Sequence, residues 1–299
     1  LTSTDSWSRP VNMYIGPDGA LYVLDYYRKI IEHPEWMSDE AVKEGGLYKG
    51  NDMGRIYRIS AADAAPAAWT KGLSLGDATT GQLVKYLSHP NSWWRMNAQR
   101  LLTDRRDSSA VALLNAMAED RQSAMGRLHA RWTLQGMDRL TGVIIADGLK
   151  DPVAGNRENA IKLAELHLAE DPGLISKLLL LQNDPNPRVR FQLLCTLGSV
   201  GNNQVVNNAR NNMLFNDIKD PWMQIAALSA SSLQPELLLG EVTGRFDTAN
   251  AAFATLAERL SEMIAATQSI EKIRALIVKT IEKGQRRDFG WEAPVMEGI

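Results

Sequence analysis

Five short stretches of this 299-residue chain repeat one design: WRMNAQRLL, RLHARWTL, RENAIKLAEL, RFQLLCTLGSV and WMQIAALSAS. With Ala98, Ala130, Ala160, Leu193 and Ala226 taken as equivalent, they recur at spacings of 32, 30, 33 and 33 residues. Each follows a loop that interrupts the preceding element: His89-Pro90-Asn91, Gly126, Gly155-Asn156, Asn186-Pro187 and Asp220-Pro221. Proline there ends one element and can open the next helix, because it has no N–H to lose and its φ is already helical. Between the stretches lie further helices with apolar residues at helical spacing, such as Val111, Leu113, Leu114 and Met117, or Leu174, Leu178 and Leu181. A helical hairpin of about thirty residues cannot bury its apolar side alone, so such units are stable only when stacked in series. The expected fold is mainly α: a HEAT-like α-solenoid of about six hairpins over residues 79–283, with a weaker sixth unit from Asn250 to Glu282. The small residue at the aligned position lets neighbouring helices approach closely.

The first sixty residues follow a different rule. Val11 to Ile15 is a β-rich run, and Gly16-Pro17-Asp18-Gly19 is a tight-turn signal, since proline presets φ and glycine accepts φ > 0. Ala20 to Tyr26 alternates Leu21, Val23 and Tyr26 with their neighbours. A polar insertion with Pro34 and Gly45-Gly46 follows, and Arg55 to Ile59 resumes a strand. Three strands alone leave two edges and an apolar face without cover. Residues 1–62 are therefore expected to be the terminal blade of a β-propeller, with earlier blades outside the chain, or a small β cap on the first helical repeat. Residues 63–78 read as a linker and 284–299 as a C-terminal tail.

Composition narrows the function classes. The net charge of -2 offers no field for nucleic acid or an anionic membrane. The paired arginines Arg105-Arg106 and Arg286-Arg287 stand beside aspartates and read as solvated loops. No apolar run approaches the ~18 residues of a membrane span, and Leu1 opens a polar segment, so no signal peptide is expected in this stretch. The lone cysteine, Cys195, excludes an internal disulfide, a Cys-rich metal site and a CxxCH haem attachment. Set among Leu193, Leu194 and Leu197, it reads as a buried, inert residue. Four scattered histidines (His33, His89, His129, His167) argue against a His-rich metal site. Trp93, Trp94, Trp132 and Trp222 stand near the starts of aligned helices, which points to packing between repeats more than to a stacking surface for a sugar or peptide. The asparagines from Asn202 to Asn216 read as a polar loop and helix surface.

The stretch DSWSRPVNMYIGPDGALYVLDYYRKIIEHPEW, followed by GRIYRI, resembles the closing propeller blade of the bacterial membrane-bound dehydrogenases related to glucose/sorbosone dehydrogenases. The pieces RPVNMY, GPDGALYV and IEHPEW occur in order, and the resemblance covers about the first sixty residues. It implies a propeller followed by HEAT-like repeats and a downstream haem-carrying cytochrome domain, in the periplasm or cell envelope. It also implies pyrroloquinoline quinone and calcium in the intact protein, with neither held by this chain alone. Propeller loops reach a ligand face just after the second strand, where Arg28, Glu32 and His33 stand, so Arg28 and His33 are the candidate cofactor-binding residues. His33 would be a base or a hydrogen-bond donor to a quinone. The other reading of IEHPEW is that Trp36 and Pro34 fold the insertion back on the blade. Asp18 and Asp25 could be calcium ligands, but a turn former and a strand-end cap are the simpler readings. The expected role is a non-catalytic scaffold contacting another protein or neighbouring domains. The alternative is a piece of a quinone-dependent sugar or alcohol dehydrogenase.

Overall fold

The structure, a computed structural model, describes residues 3–64, 73–201, 203–267, 269–284 and 290–299. It is mainly helical and divides into two compact units, Leu1–Arg139 and Leu140–Ile299, a division that falls inside the 79–283 stretch. The first unit opens with strands β1 (Pro10–Ile15), β2 (Leu21–Asp25) and β3 (Arg55–Ile59) in one antiparallel sheet of order β1-β2-β3. Helix α1 (Asp39–Lys43) lies in the β2–β3 insertion. The helices α2 (Thr80–Tyr86), α3 (Ser92–Arg105), α4 (Ala110–Glu119) and α5 (Ala124–Gly136) complete that unit. The second unit holds α6 (Gly142–Gly148), α7 (Ala154–His167), α8 (Leu174–Leu179), α9 (Pro187–Gly198) and α10 (Gln204–Asn216). It continues with α11 (Pro221–Leu228), α12 (Pro235–Gly244), α13 (Ala251–Ala266), α14 (Ile270–Gly284) and α15 (Glu292–Glu297).

The loop signals act as helix starts. Asn91, Asn186, Asp220 and Asn250 each accept, through the side chain, the backbone N–H two residues ahead, and Pro187 and Pro221 sit in the first turn. Each cap satisfies a donor that the helix cannot reach internally. The five aligned stretches become α3, α5, α7, α9 and α11, and the five aligned residues are all at most 2% exposed. In the first unit α3 packs on α5 and α2 on α4; in the second, α7, α9, α11 and α13 pack in file. Within each unit this is the serial, solenoid-like stacking that hairpins of this length require.

Two details differ from the expectation. Of their two neighbours in sequence, α3, α5, α7 and α13 pack chiefly on the helix before them, whereas α9 packs on the following α10; α13 thus pairs with α12 more closely than with α14, and the pair expected from Asn250 to Glu282 is the weaker one. Burial is the reason: α12 buries Leu238, Leu239 and Val242, whereas among the described side chains of α14 only Thr280 is buried. The expected C-terminal tail also carries structure. Within residues 290–299, Glu292–Glu297 form α15, which packs on α13 and α14, and Trp291 and Val295 are buried there.

Polar bonds set the register between neighbouring repeats. Arg157 of α7 forks Asp184 with Nε to Oδ2 at 2.7 Å and Nη2 to Oδ1 at 2.8 Å, while Nη1 donates to the Asp151 carbonyl at 2.8 Å. Thirty-three residues on, Arg190 of α9 repeats the arrangement: Nε to Asp217 Oδ2 at 2.6 Å, Nη2 to Oδ1 at 2.9 Å, and Nη1 to the Asp184 carbonyl at 2.8 Å. In α11, Gln224 takes the arginine's place and donates to the carbonyls of Ile218 and Ala252. Two-pronged charged bonds of this kind fix orientation as well as distance. Burial pushes the Asp184 carboxyl up, but the Arg157 guanidinium and the Asn186 N–H outweigh it and hold it below the ordinary aspartate value.

The first unit contains an acid-sensitive joint. His129 on α5 accepts from Arg95 Nε on α3 at 3.2 Å, and its Nδ1 lies 2.6 Å from Gln99 Oε1, so the ring is neutral with the proton on Nδ1. Burial, with Arg95 alongside, pulls its pKa down to about 4. The unfolded chain, with an ordinary histidine near 6.5, therefore binds more protons between those values. Stability is fully present above pH ~6.5 and is lost as pH falls toward 4, by roughly 2 kcal/mol once solvent screening is allowed for. Urea midpoints taken from pH 7 to 4 should show that slope, and His129→Gln should flatten it; an unchanged slope in the variant would assign the acid sensitivity elsewhere.

Candidate functional site

The β1–β2 turn is built by Asp18. Its Oδ1 accepts the Ala20 N–H at 3.1 Å, and its Oδ2 accepts from the Tyr22 hydroxyl at 3.1 Å and Arg58 Nε at 2.7 Å. Gly19 follows at φ +80°, which a side chain would resist. The turn's outward carbonyls are held by the first helical hairpin. The Asn91 amide donates to the carbonyls of Gly16 (2.8 Å) and Pro17 (3.2 Å), and Trp94 Nε1 donates to Pro17 at 3.0 Å. Trp94 is buried against Tyr86, His89 and Trp93, at ring-centre distances of 4.9, 5.4 and 5.4 Å.

The sheet thus meets the helices at its turn end. Both outer strands are exposed along their whole length, and only β2 contributes buried residues. The register places Ile15, Leu21 and Ile59 in one cross-strand row and Met13, Val23 and Tyr57 in the next, on the same face. Met13 is 53% exposed and Tyr57 42%. A β cap in the ordinary sense would turn such a face onto the repeat it covers; here the face is open.

At the far end of β2, Asp25 is buried and accepts from Ser8 Oγ, the Arg9 N–H, the Tyr27 N–H and the Tyr57 hydroxyl at 2.7–3.3 Å. Burial pushes its carboxyl up, yet these four donors together hold it below the ordinary value. Tyr27, at φ 50°, donates to Asp5 at 2.8 Å beneath the Arg55 guanidinium, 4.0 Å from its ring centre. The oxygens of Asp18 and Asp25 are committed to donors within the sheet, which does not suit a calcium site.

Residues 1–63 match a domain of unknown function, DUF7133. No curated protein matches the chain. The matched segment takes in the sheet, its turn and the whole β2–β3 insertion, and it ends just past β3.

Inside that segment, Arg28 serves the backbone. Its Nη1 donates to the carbonyls of Tyr26, Tyr27 and Gly50, and its guanidinium lies 4.3 Å from the Tyr26 ring centre. This closes the two ends of the insertion. Arg28 also lines a shallow cleft of about 260 Å³ with Ile31 and Tyr48, which His33 does not line. His33 is exposed, with Nδ1 3.7 Å from Glu35, and Glu32 accepts its backbone N–H. Arg28 and His33 thus do not line this cleft together. Trp36, expected to fold the insertion back, is instead 80% exposed, with a tilted ring contact to His33 inside the insertion.

Other sequence candidates fall in varied surroundings. Trp93 and Trp132 are half-buried, but Trp222, in the first turn of α11, is 64% exposed and is not enclosed between repeats as expected. Cys195 is half-buried, and burial with nearby Glu165 pushes its thiol up, away from nucleophilic use. Arg105 donates to the carbonyls of Gly76 and Ala78, and Arg106 reaches Asp138 at 2.9 Å, so these arginines tie loops down. Arg286-Arg287 lie outside the described residues.

Proposed function

We propose that this chain is a binding scaffold within a larger envelope dehydrogenase-like protein: HEAT-type helical repeats that carry the last blade of a β-propeller. The observation that carries this reading is the open apolar face of the sheet, with Met13, Ile15, Tyr57 and Ile59 exposed around buried Val23. A propeller blade is a meander covered on both faces by its neighbours, and the order β1-β2-β3 is that of consecutive strands in such a blade. The resemblance of this segment to a dehydrogenase closing blade supports the same placement. On this reading quinone and calcium belong to loops of other blades, a cytochrome domain lies downstream, and this chain holds the propeller to its neighbours.

The test is the pair Met13→Lys and Tyr57→Lys in one chain. The native chain should bind a hydrophobic dye and self-associate, and the double variant should lose both while helical melting stays put. A polypeptide of the preceding blades, supplied in trans, should protect β1 and β3 amides from exchange in the native chain only. A native chain that binds no dye and ignores that polypeptide sinks the reading. Pyrroloquinoline quinone with calcium should leave the melting temperature unmoved. A saturable rise that Arg28→Ala abolishes would favour the dehydrogenase-site alternative.

A further inference from the structure

The second unit contains a groove of about 410 Å³ between α10 and α12, within the range of ~300–1,000 Å³ usual for small-molecule sites. One wall is an amide stripe: Gln204, Asn207, Asn208 and Asn211 stand at helical spacing along a single face of α10. Gln234 extends the amides from the start of α12. Amides both donate and accept, so such a wall suits a ligand rich in hydroxyls or amides of its own.

Arg210 lies in this wall and is 7% exposed. Its Nη1 and Nη2 have only long bonds to neutral oxygens, Ser232 Oγ at 3.3 Å and the Ala227 carbonyl at 3.3 Å. Its Nε is buried without any hydrogen-bond partner. Compare Arg157 and Arg190 in the same unit, each forked onto an aspartate. A guanidinium offers five donors and keeps its charge, so one buried without a counter-charge is unfavourable unless something supplies that charge. Desolvation indeed pulls Arg210 below the ordinary arginine value. Glu241 also lines the groove, but its Oε2 accepts from exposed Arg245 at 3.1 Å.

We infer that this groove binds a polar organic carboxylate, whose anionic end pairs with Arg210 and whose hydroxyl or amide groups meet the α10 amides. A singly charged carboxylate is favoured over phosphate because Glu241 already places negative charge at the rim. The inference stands apart from the scaffold reading and rests on residues of the second unit alone.

Thermal melting of the whole chain with acetate, gluconate, phosphate or chloride at matched ionic strength tests it. Gluconate near saturation should raise the melting transition by about 3 °C or more, acetate by less, and phosphate and chloride by nothing beyond the common salt effect. Arg210→Met should melt at or above the native temperature, since it removes an unpaired buried charge, and should not respond to gluconate. Glu241→Gln should bind gluconate several-fold more tightly and begin to admit phosphate. A gluconate shift that survives in Arg210→Met, or no shift with either carboxylate, overturns the inference. An unresponsive native chain whose Arg210→Met variant melts lower would make Arg210 purely structural.

Discussion

Asp184→Ala is expected to destabilise the second unit by about 3–5 kcal/mol, the cost of leaving one member of a buried ion pair uncompensated. The Asp184 side chain is 3% exposed and that of Arg157 14%, so water cannot take over the lost charge. The substitution also removes the acceptor for the Asn186 N–H at the start of α9. Exposed Arg106–Asp138, with side chains 61% and 68% exposed, gives the contrast: Asp138→Asn, which keeps a residue tolerated at the φ of 57° there, should cost under about 1 kcal/mol. Replacing both partners, Arg157→Met with Asp184→Leu, should recover most of the loss, because an apolar pair needs no counter-charge. The pH dependence follows from the depressed Asp184 carboxyl. Its contribution is present above the unfolded aspartate value of ~3.9 and is lost as pH falls through the lower folded value. Urea midpoints, with amide exchange in α7 and α9 as the local readout, decide the matter. If Asp184→Ala costs no more than Asp138→Asn, the ladder of bonds from Arg157 and Arg190 does not set the register between repeats.

The helical repeat was readable because a buried apolar residue, alanine at four of the five aligned positions, recurs every 30–33 positions, and burial acts on each hairpin in the same way. The ladder was written at the same interval, as Asp151, Asp184 and Asp217 with Arg157 and Arg190, but each residue alone looks like an ordinary polar loop or first-turn position. The partner of each arginine lies 27 residues ahead, a distance to which helical periodicity gives no clue. The phase of the hairpins was hidden for a related reason. A helix flanked by two others can pair with either, and α13 packs more closely on α12 than on α14, which buries fewer of its described side chains. Arg210 escaped notice because Asn207-Asn208-Ala209-Arg210-Asn211-Asn212 reads as a solvated surface; only the packing of the α11–α12 loop shows that its one charge is enclosed. The insertion failed in the opposite sense. Pro34 and Trp36 look like a packing pair, yet the indole is left 80% exposed.

Trp94→Ala should cost about 3–4 kcal/mol in the first unit, in the usual range for deleting a buried aromatic. The indole fills the space among Tyr86, His89 and Trp93 and donates to the Pro17 carbonyl, so the loss combines a cavity with one of the two hydrogen bonds that hold this carbonyl. Trp94→Phe keeps most of the ring and removes only the donor. With Asn91 still bonded to the same carbonyl, it should cost roughly 1 kcal/mol. The distinguishing readout is local: in Trp94→Ala, amides of β1 and β2 should exchange faster and the segment around the turn should become sensitive to protease, while α4 and α5 change little. Equal loosening of α5 and the sheet would mean that Trp94 merely supports the helical core. Selective loosening of the sheet would mean that the orientation of its open face is set through Gly16 and Pro17. A partner seated on that face would then be placed with respect to the first hairpin by four residues, Asn91 and Trp94 on the helix side and the two turn carbonyls on the other.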